Sequence, residues 1–234
     1  MRGASVLLAA LAASHAPVRA QPFQCRPPAT VAPLRAEAPD GPVRRVATVG
    51  YTLALSWSPE FCRTRARDRA HEAQCAGRMG RFGFIVHGLW PEGAADWPQW
   101  CRRVAPPPLA TVRAQLCRTP SPALIGHAWA KHGSCMARAP ADYFKVSNLL
   151  ADSLSYPDLE RLSREPGLTA GMLRTAFAAA NPGRPAASFG LLASRTGWLR
   201  EVRVCLDRRF RPVRCAAAQR GPADAAPLKV WRGL

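Results

Sequence analysis

Leu53, Leu55 and Trp57 fall on one parity, with Thr52, Ala54 and Ser56 between them. A period of two marks a strand, and Pro59 ends it. Residues 82–86 form a short apolar and aromatic run suited to a buried strand that delivers His87 at its C-terminal end. The stretch 92–126 is broken by Pro98, Pro106, Pro107, Pro108, Pro120 and Pro122, so it reads as loop with one short helix at 109–116. Helical spacing then takes over. Residues 127–133 read as a helix broken by Gly133; Tyr143, Val146, Leu150 and Leu154 mark a second; and 168–180 a third, stopped by Asn181-Pro182. Trp198, Val202, Val204 and Leu206 share one parity, with Arg200 and charged neighbours among them, predicting a strand that returns through residues 207–210 as a hairpin. Cys205 and Cys215 flank that turn, and the charged segment 63–81 is a helix or loop clamped near Cys62 and Cys75.

Strands and helices alternate irregularly, without the crossover rhythm of a parallel sheet. The expected class is therefore α+β, a central antiparallel sheet with surrounding helices. The chain of 234 residues is long enough for one well-buried domain once its first segment is set aside. That segment, 1–20, reads as a signal peptide: Arg2 precedes a small apolar run from Ala4 to Ala13, and Val18-Arg19-Ala20 offers small residues for cleavage near Gln21. The run is far below the 18 or so residues that cross a bilayer, and nothing later resembles a span. Residues 21–46 follow as a Pro- and Arg-rich extension tied through Cys25, 47–220 as the main folded domain, and 221–234 as a loose tail or edge element.

The cysteines support export to a periplasm or beyond the cell. Eight is an even number, and disulfides persist where thiols are oxidised. Zinc is not expected, because the closest pair is Cys205 and Cys215 rather than a Cys-x-x-Cys. A formal charge of +18, which becomes +16 when Arg2 and Arg19 leave with the leader, draws the protein to polyanions: nucleic acid or anionic surfaces. Arginine in place of lysine that merely solvates the surface is the bland alternative. A monomer is the default.

The chemistry is concentrated in two segments. One is Phe84-Ile85-Val86-His87-Gly88-Leu89-Trp90-Pro91; the other is His127-Ala128-Trp129-Ala130-Lys131-His132-Gly133-Ser134-Cys135. On a helix, Ala128 and His132 share a face while His127 and Lys131 share the adjoining one. A zincin needs histidines at i and i+4 with a glutamate between, and here Lys131 stands four after His127. Two imidazoles and a fixed cation are instead the equipment for phosphodiester cleavage without metal or cofactor. A base takes the ribose 2′-OH proton, the oxygen attacks phosphorus, and an acid protonates the departing 5′ oxygen. Lys131 would offset the charge growing on phosphorus. Trp90 offers a face for a base or serves as scaffold, and Trp129 reads as core.

Val86-His87-Gly88-Leu89-Trp90-Pro91 and His127-x-Trp129-x-Lys131-His132-Gly133-x-Cys135 resemble the two active-site segments of the ribonuclease T2 family, secreted acid endoribonucleases without base specificity. Ser56-Trp57-Ser58-Pro59 with Cys62 is similar to the family's early strand, so the resemblance runs from about Thr48 to Cys215. It implies the antiparallel α+β fold and RNA as substrate. His87 would be the general acid, His132 the general base and Lys131 the transition-state cation, with His127 binding phosphate and Trp90 a base. It also implies bridges Cys62 to Cys75, Cys101 to Cys135 and Cys205 to Cys215, with Cys25 and Cys117 left as the fourth pair.

One position departs from the pattern. Where the family has glutamate after the first histidine, this chain has Ala128. Loss of one preorganised group costs roughly 10²- to 10³-fold in rate. Beside Lys131 and without that carboxylate, His132 should lose its proton more easily and act as a weaker base. The sequence thus supports an exported endoribonuclease slowed by Ala128, and alternatively a catalytically silent cationic protein of the same fold that binds RNA or an anionic surface.

Overall fold

The alternation from Thr52 to Trp57 becomes β1 (Gly50–Trp57), which lies inside a four-stranded sheet in the computed structural model; residues 25–233 are described, and the expected leader lies outside them. The strand order is β2-β1-β4-β3, with β2 (Phe84–Glu92), β3 (Phe189–Ala193) and β4 (Leu199–Asp207), and every pairing is antiparallel. Eight α-helices are described around it: α1 (Ser58–Cys62), α2 (Glu72–Cys75), α3 (Leu109–Gln115), α4 (Pro122–Lys131), α5 (Pro140–Asp152), α6 (Leu159–Leu162), α7 (Ala170–Ala180) and α8 (Ala217–Arg220). Leu53, Leu55 and Leu89 from the sheet meet Ile125, Leu173 and Phe177 from the helices in one core, all fully buried. Each such side chain stabilises the fold by about 1.5–3 kcal/mol. The cysteines pair as Cys25–Cys117, Cys62–Cys75, Cys101–Cys135 and Cys205–Cys215.

Several elements differ from the sequence reading. β2 does not end at His87 but runs on to Glu92, because β1 continues to pair with it as far as Gly50. β3 has no alternating signature; Phe189, Gly190 and Leu191 are buried together, so periodicity carries no trace of it. The return after β4 is no strand: beyond Phe210, which takes a positive φ of 59°, only a single bridge joins Leu206 to Pro212. Proline cannot donate to a ladder, which limits that pairing. Pro122 does not interrupt α4 but starts it, with the Ser121 hydroxyl accepting from Leu124 N at 3.2 Å as N-cap.

The C-terminal residues are packed rather than loose. Leu228 and Val230 are buried, and Leu228 N donates to Leu168 O at 2.9 Å. Arg174, itself almost wholly buried on α7, donates to Arg220 O and Pro222 O and pairs with Asp224, which fastens this segment to the core. Among the described residues, no helix is long and apolar enough to cross a membrane.

Candidate active site

His87 owes its direction to an irregularity in the sheet. Ala54 pairs with Gly88 and Leu55 with Val86, so His87 is the extra residue of a β-bulge, a feature that re-aims a side chain. Its Nδ1 lies 2.6 Å from Glu201 Oε2 on β4 and 3.3 Å from Ser56 Oγ on β1. Arg203 donates to the other Glu201 oxygen at 2.8 Å. Burial pushes the Glu201 carboxyl up, but hydrogen bonding and charge from His87 and Arg203 outweigh it and hold the group below the usual carboxylate range. Glu201 is therefore an ionised acceptor, which commits Nδ1–H of His87 and leaves Nε2 as the nitrogen available to a ligand.

The second segment is the last turn of α4 and its C-cap. His127 and Lys131 lie on the helix; His132 caps it, its backbone N donating to Ala128 O at 3.1 Å. Tyr143 on α5 locks the two segments together. Its hydroxyl donates to Leu89 O and accepts from Leu89 N, both at 3.2 Å. The glycine of each segment makes this approach possible. A Cβ on Gly88 would lie 2.8 Å from Trp90 Nε1, and one on Gly133 2.5 Å from the Trp129 ring and 3.0 Å from Tyr143 Cγ. Cys101–Cys135 fixes the loop before α3 to the end of this segment.

The two catalytic candidates sit in opposite environments. His132 is buried, its Nδ1 has no hydrogen-bond partner, and its pKa is lowered to about 3 by burial first and then by the charges of Lys131, His127 and His87. It is therefore neutral throughout the mildly acidic range. Trp90 stands between the rings, 5.2 Å from His87 and 5.5 Å from His132 between centroids, with the Arg203 guanidinium 5.4 Å over its own ring. His87, Trp90, His127, Ala128, Lys131 and His132 line one cleft of about 420 Å³. Every expected site residue thus reaches the same cleft. Trp129, by contrast, is core, with its Nε1 donating to Ala105 O at 3.0 Å. A second cavity of about 510 Å³ shares His87 and Leu124 and is lined further by Ser56, Phe61 and Glu201. Among the described residues, no group of three His, Cys, Asp or Glu side chains is placed to hold a metal ion.

Sequence reasoning missed three carboxylates. Glu201 is one; the others come from the extension. Glu37 Oε2 lies 2.9 Å from His127 Nδ1, and both Asp40 oxygens meet Lys131 Nζ, at 3.0 and 2.9 Å. Asp40 also accepts from Trp100 Nε1 at 2.9 Å. Trp100 takes a positive φ of 55°, a conformation costing a bulky residue roughly 1–2 kcal/mol, and is held there by its N–H to Lys131 O at 2.8 Å. Exposed Trp97 lines the cleft as well, with Arg44 4.5 Å over its ring.

The ribonuclease T2 family model matches residues 49–215. A ribonuclease of Aeromonas hydrophila is 31% identical over 169 residues, covering 68% of this chain and 71% of that protein. A probable ribonuclease of Haemophilus influenzae is 36% identical over 127 residues, covering 49% of this chain and 46% of that one. The crystal structure of RNase NT in complex with 5′-AMP shares the fold, with a TM-score of 0.57 at 19% identity over 79% of this chain and 98% of its own. Because the match takes in the whole sheet, both histidine segments and three of the four disulfides, the chain belongs to the ribonuclease T2 family.

Proposed function

We propose that this protein is an exported endoribonuclease that cleaves single-stranded RNA by metal-free transesterification. One observation carries the reading: a single cleft is lined by two imidazoles in opposite environments, His87 paired with a buried carboxylate and His132 buried without a partner. A neutral ring is suited to accept a proton and a ring backed by an anion to carry one.

His132 removes the proton of the ribose 2′-OH, and the freed oxygen attacks phosphorus. The bond to the 5′ oxygen breaks as His87 Nε2 protonates that oxygen, leaving a 2′,3′-cyclic phosphate and a free 5′-OH. His127 and Lys131 hold the phosphate and offset its growing charge. Trp90 helps to hold a base. Glu201 is a positioning residue: it fixes the tautomer and direction of His87 without touching substrate. The cavities that meet at His87 suit nucleotides on either side of the scissile bond. Four disulfides and the leader-like N-terminus support export, to the periplasm or beyond. All proposed site residues come from one chain, so a monomer suffices.

The test is incubation of mature protein with RNA in EDTA, followed by analysis of the ends. We expect 2′,3′-cyclic phosphates, lost in His87→Ala and in His132→Ala. Cleavage unchanged in both variants, or abolished by chelation, overturns the mechanism. Ala128 favours a second reading, a silent cationic protein that holds RNA or an anionic surface through its charge. That reading predicts binding that falls steeply with salt and no turnover over hours at pH 5 to 6.

A further inference from the structure

In a chain of formal charge +18, the extension from residue 25 to 46 carries two acids, Glu37 and Asp40, and both land on basic side chains of α4, His127 and Lys131. The placement is anchored from both sides. Cys25 is bonded to Cys117, and Arg113 donates to Pro28 O at 2.9 Å. Beyond the acids, Gln99 donates to Pro42 O at 2.8 Å, Arg44 and Gln99 exchange backbone hydrogen bonds, and Arg45 donates to Cys101 O at 2.8 Å. Between these anchors the segment crosses α4 where the helix has no side chain. A Cβ at Gly126 would lie 3.2 Å from Leu34 Cδ1 and 3.5 Å from Glu37 Oε1. Glycine inside a helix is less favourable than alanine, and here it gives the crossing chain its seat.

We propose that the extension is an autoinhibitory strap whose Glu37 and Asp40 carboxylates occupy the phosphate position on His127 and Lys131, so that a substrate phosphate must displace them. The inference rests on the ribonuclease reading of that site and adds its control. A carboxylate and a phosphate oxygen are both anionic acceptors, and Lys131 cannot give the same donors to each. Asp40 is not a stand-in for the carboxylate that Ala128 lacks. Both its oxygens are spent on Lys131, and one also accepts from Trp100, so neither is free for substrate. The Lys131 hydrogen bond holds Asp40 below the usual carboxylate range, against a smaller opposing push from burial, so mild acid does not release it. Displacement is left as the route. The effect should be moderate, since half-exposed ion pairs of this kind contribute little individually.

The test compares the mature chain with Asp40→Asn, Glu37→Gln and the double variant, all close in size to the native residues. Calorimetry reads the affinity for inorganic phosphate and for AMP, and steady-state cleavage of a short RNA reads KM and kcat. We expect the double variant to bind both probes three- to tenfold more tightly, with a matching fall in KM and no loss of kcat. Unchanged affinity for both probes would sink the proposal, because the strap would then exclude nothing. A tenfold fall in kcat at unchanged KM would overturn it too, by making the carboxylates partners in the chemistry. The calorimetric arm stands apart from turnover. Should neither protein cleave RNA while the double variant binds phosphate more tightly, the strap is upheld and the ribonuclease reading fails.

Discussion

Replacing Glu201 with glutamine tests the step from fold to catalysis most directly. The carboxylate is almost wholly buried, and its contacts are His87 Nδ1 at 2.6 Å, Arg203 Nε at 2.8 Å and Ser56 Oγ at 3.4 Å. Glutamine preserves the volume but removes the charge, and its amide can turn to donate to Nδ1, which would leave the wrong nitrogen of His87 protonated. A hydrogen bond to a charged group contributes about 1.5–3 kcal/mol. Expressed wholly in the transition state, that is about 10- to 150-fold in rate. Cleavage of a dinucleoside monophosphate should therefore show kcat lower by this factor and KM within about twofold, because Glu201 acts through His87 rather than on the substrate phosphate. Calorimetric unfolding provides a separate check. Glu201 titrates below its ordinary value near 4.5, so its pairing stabilises the fold above that pH and is lost as pH falls through the folded value. The stability gap between wild type and Glu201→Gln should accordingly narrow in acid. A folded variant with kcat within threefold of wild type would refute the positioning role.

Two further outcomes follow from the same geometry. His132 titrates near 3 when folded and near 6.5 when unfolded, so the unfolded chain takes up a proton first as pH falls below 6.5. Between pH 6.5 and 4.5 wild type should lose roughly 2 kcal/mol more stability than His132→Gln, and parallel denaturant curves for the two proteins would rule out the buried neutral ring. Ala128→Glu places a carboxylate one helical turn before His132, whose Nδ1 has no partner, and on the wall of the cleft. We expect kcat to rise at least tenfold; an unchanged kcat would show the carboxylate to be dispensable here.

What the sequence disclosed follows from how far apart the interacting residues lie. β1, the helix at 109–116 and the two histidine segments are local patterns, readable from spacing alone. The bulge at His87 is not local, because it exists only in the register between β1 and β2. Glu201 is hidden for the same reason: Ser56 pairs with Ile85 on one side and with Glu201 on the other, and only those two registers together bring the carboxylate to the histidine. In sequence it is one more charge in a strand rich in arginine. β3 left no mark because its buried residues are consecutive. The extension was legible as irregular backbone, since its prolines forbid regular structure. Where it would lie was set by Cys25–Cys117 and the Arg44–Gln99 pairing, contacts that span 92 and 55 residues and have no local signature.

The charges of this protein work at two distances, and the distinction bears on how salt should act. The excess of arginine creates a field that reaches a polyanion over the Debye length, roughly 8–10 Å at physiological ionic strength, and added salt weakens it. Inside the cleft the balance is reversed. His87, His127 and Lys131 each face a carboxylate, so an incoming phosphate would meet basic side chains that are already engaged. Salt screens the exposed pairs of His127 and Lys131 with the extension far more than the buried pair of His87 with Glu201, which has almost no solvent around its carboxylate. Rising ionic strength should therefore slow the capture of long RNA while loosening the extension, and leave the orientation of His87 in place. A small uncharged-ended substrate, which gains little from the long-range field, would feel mainly the second effect.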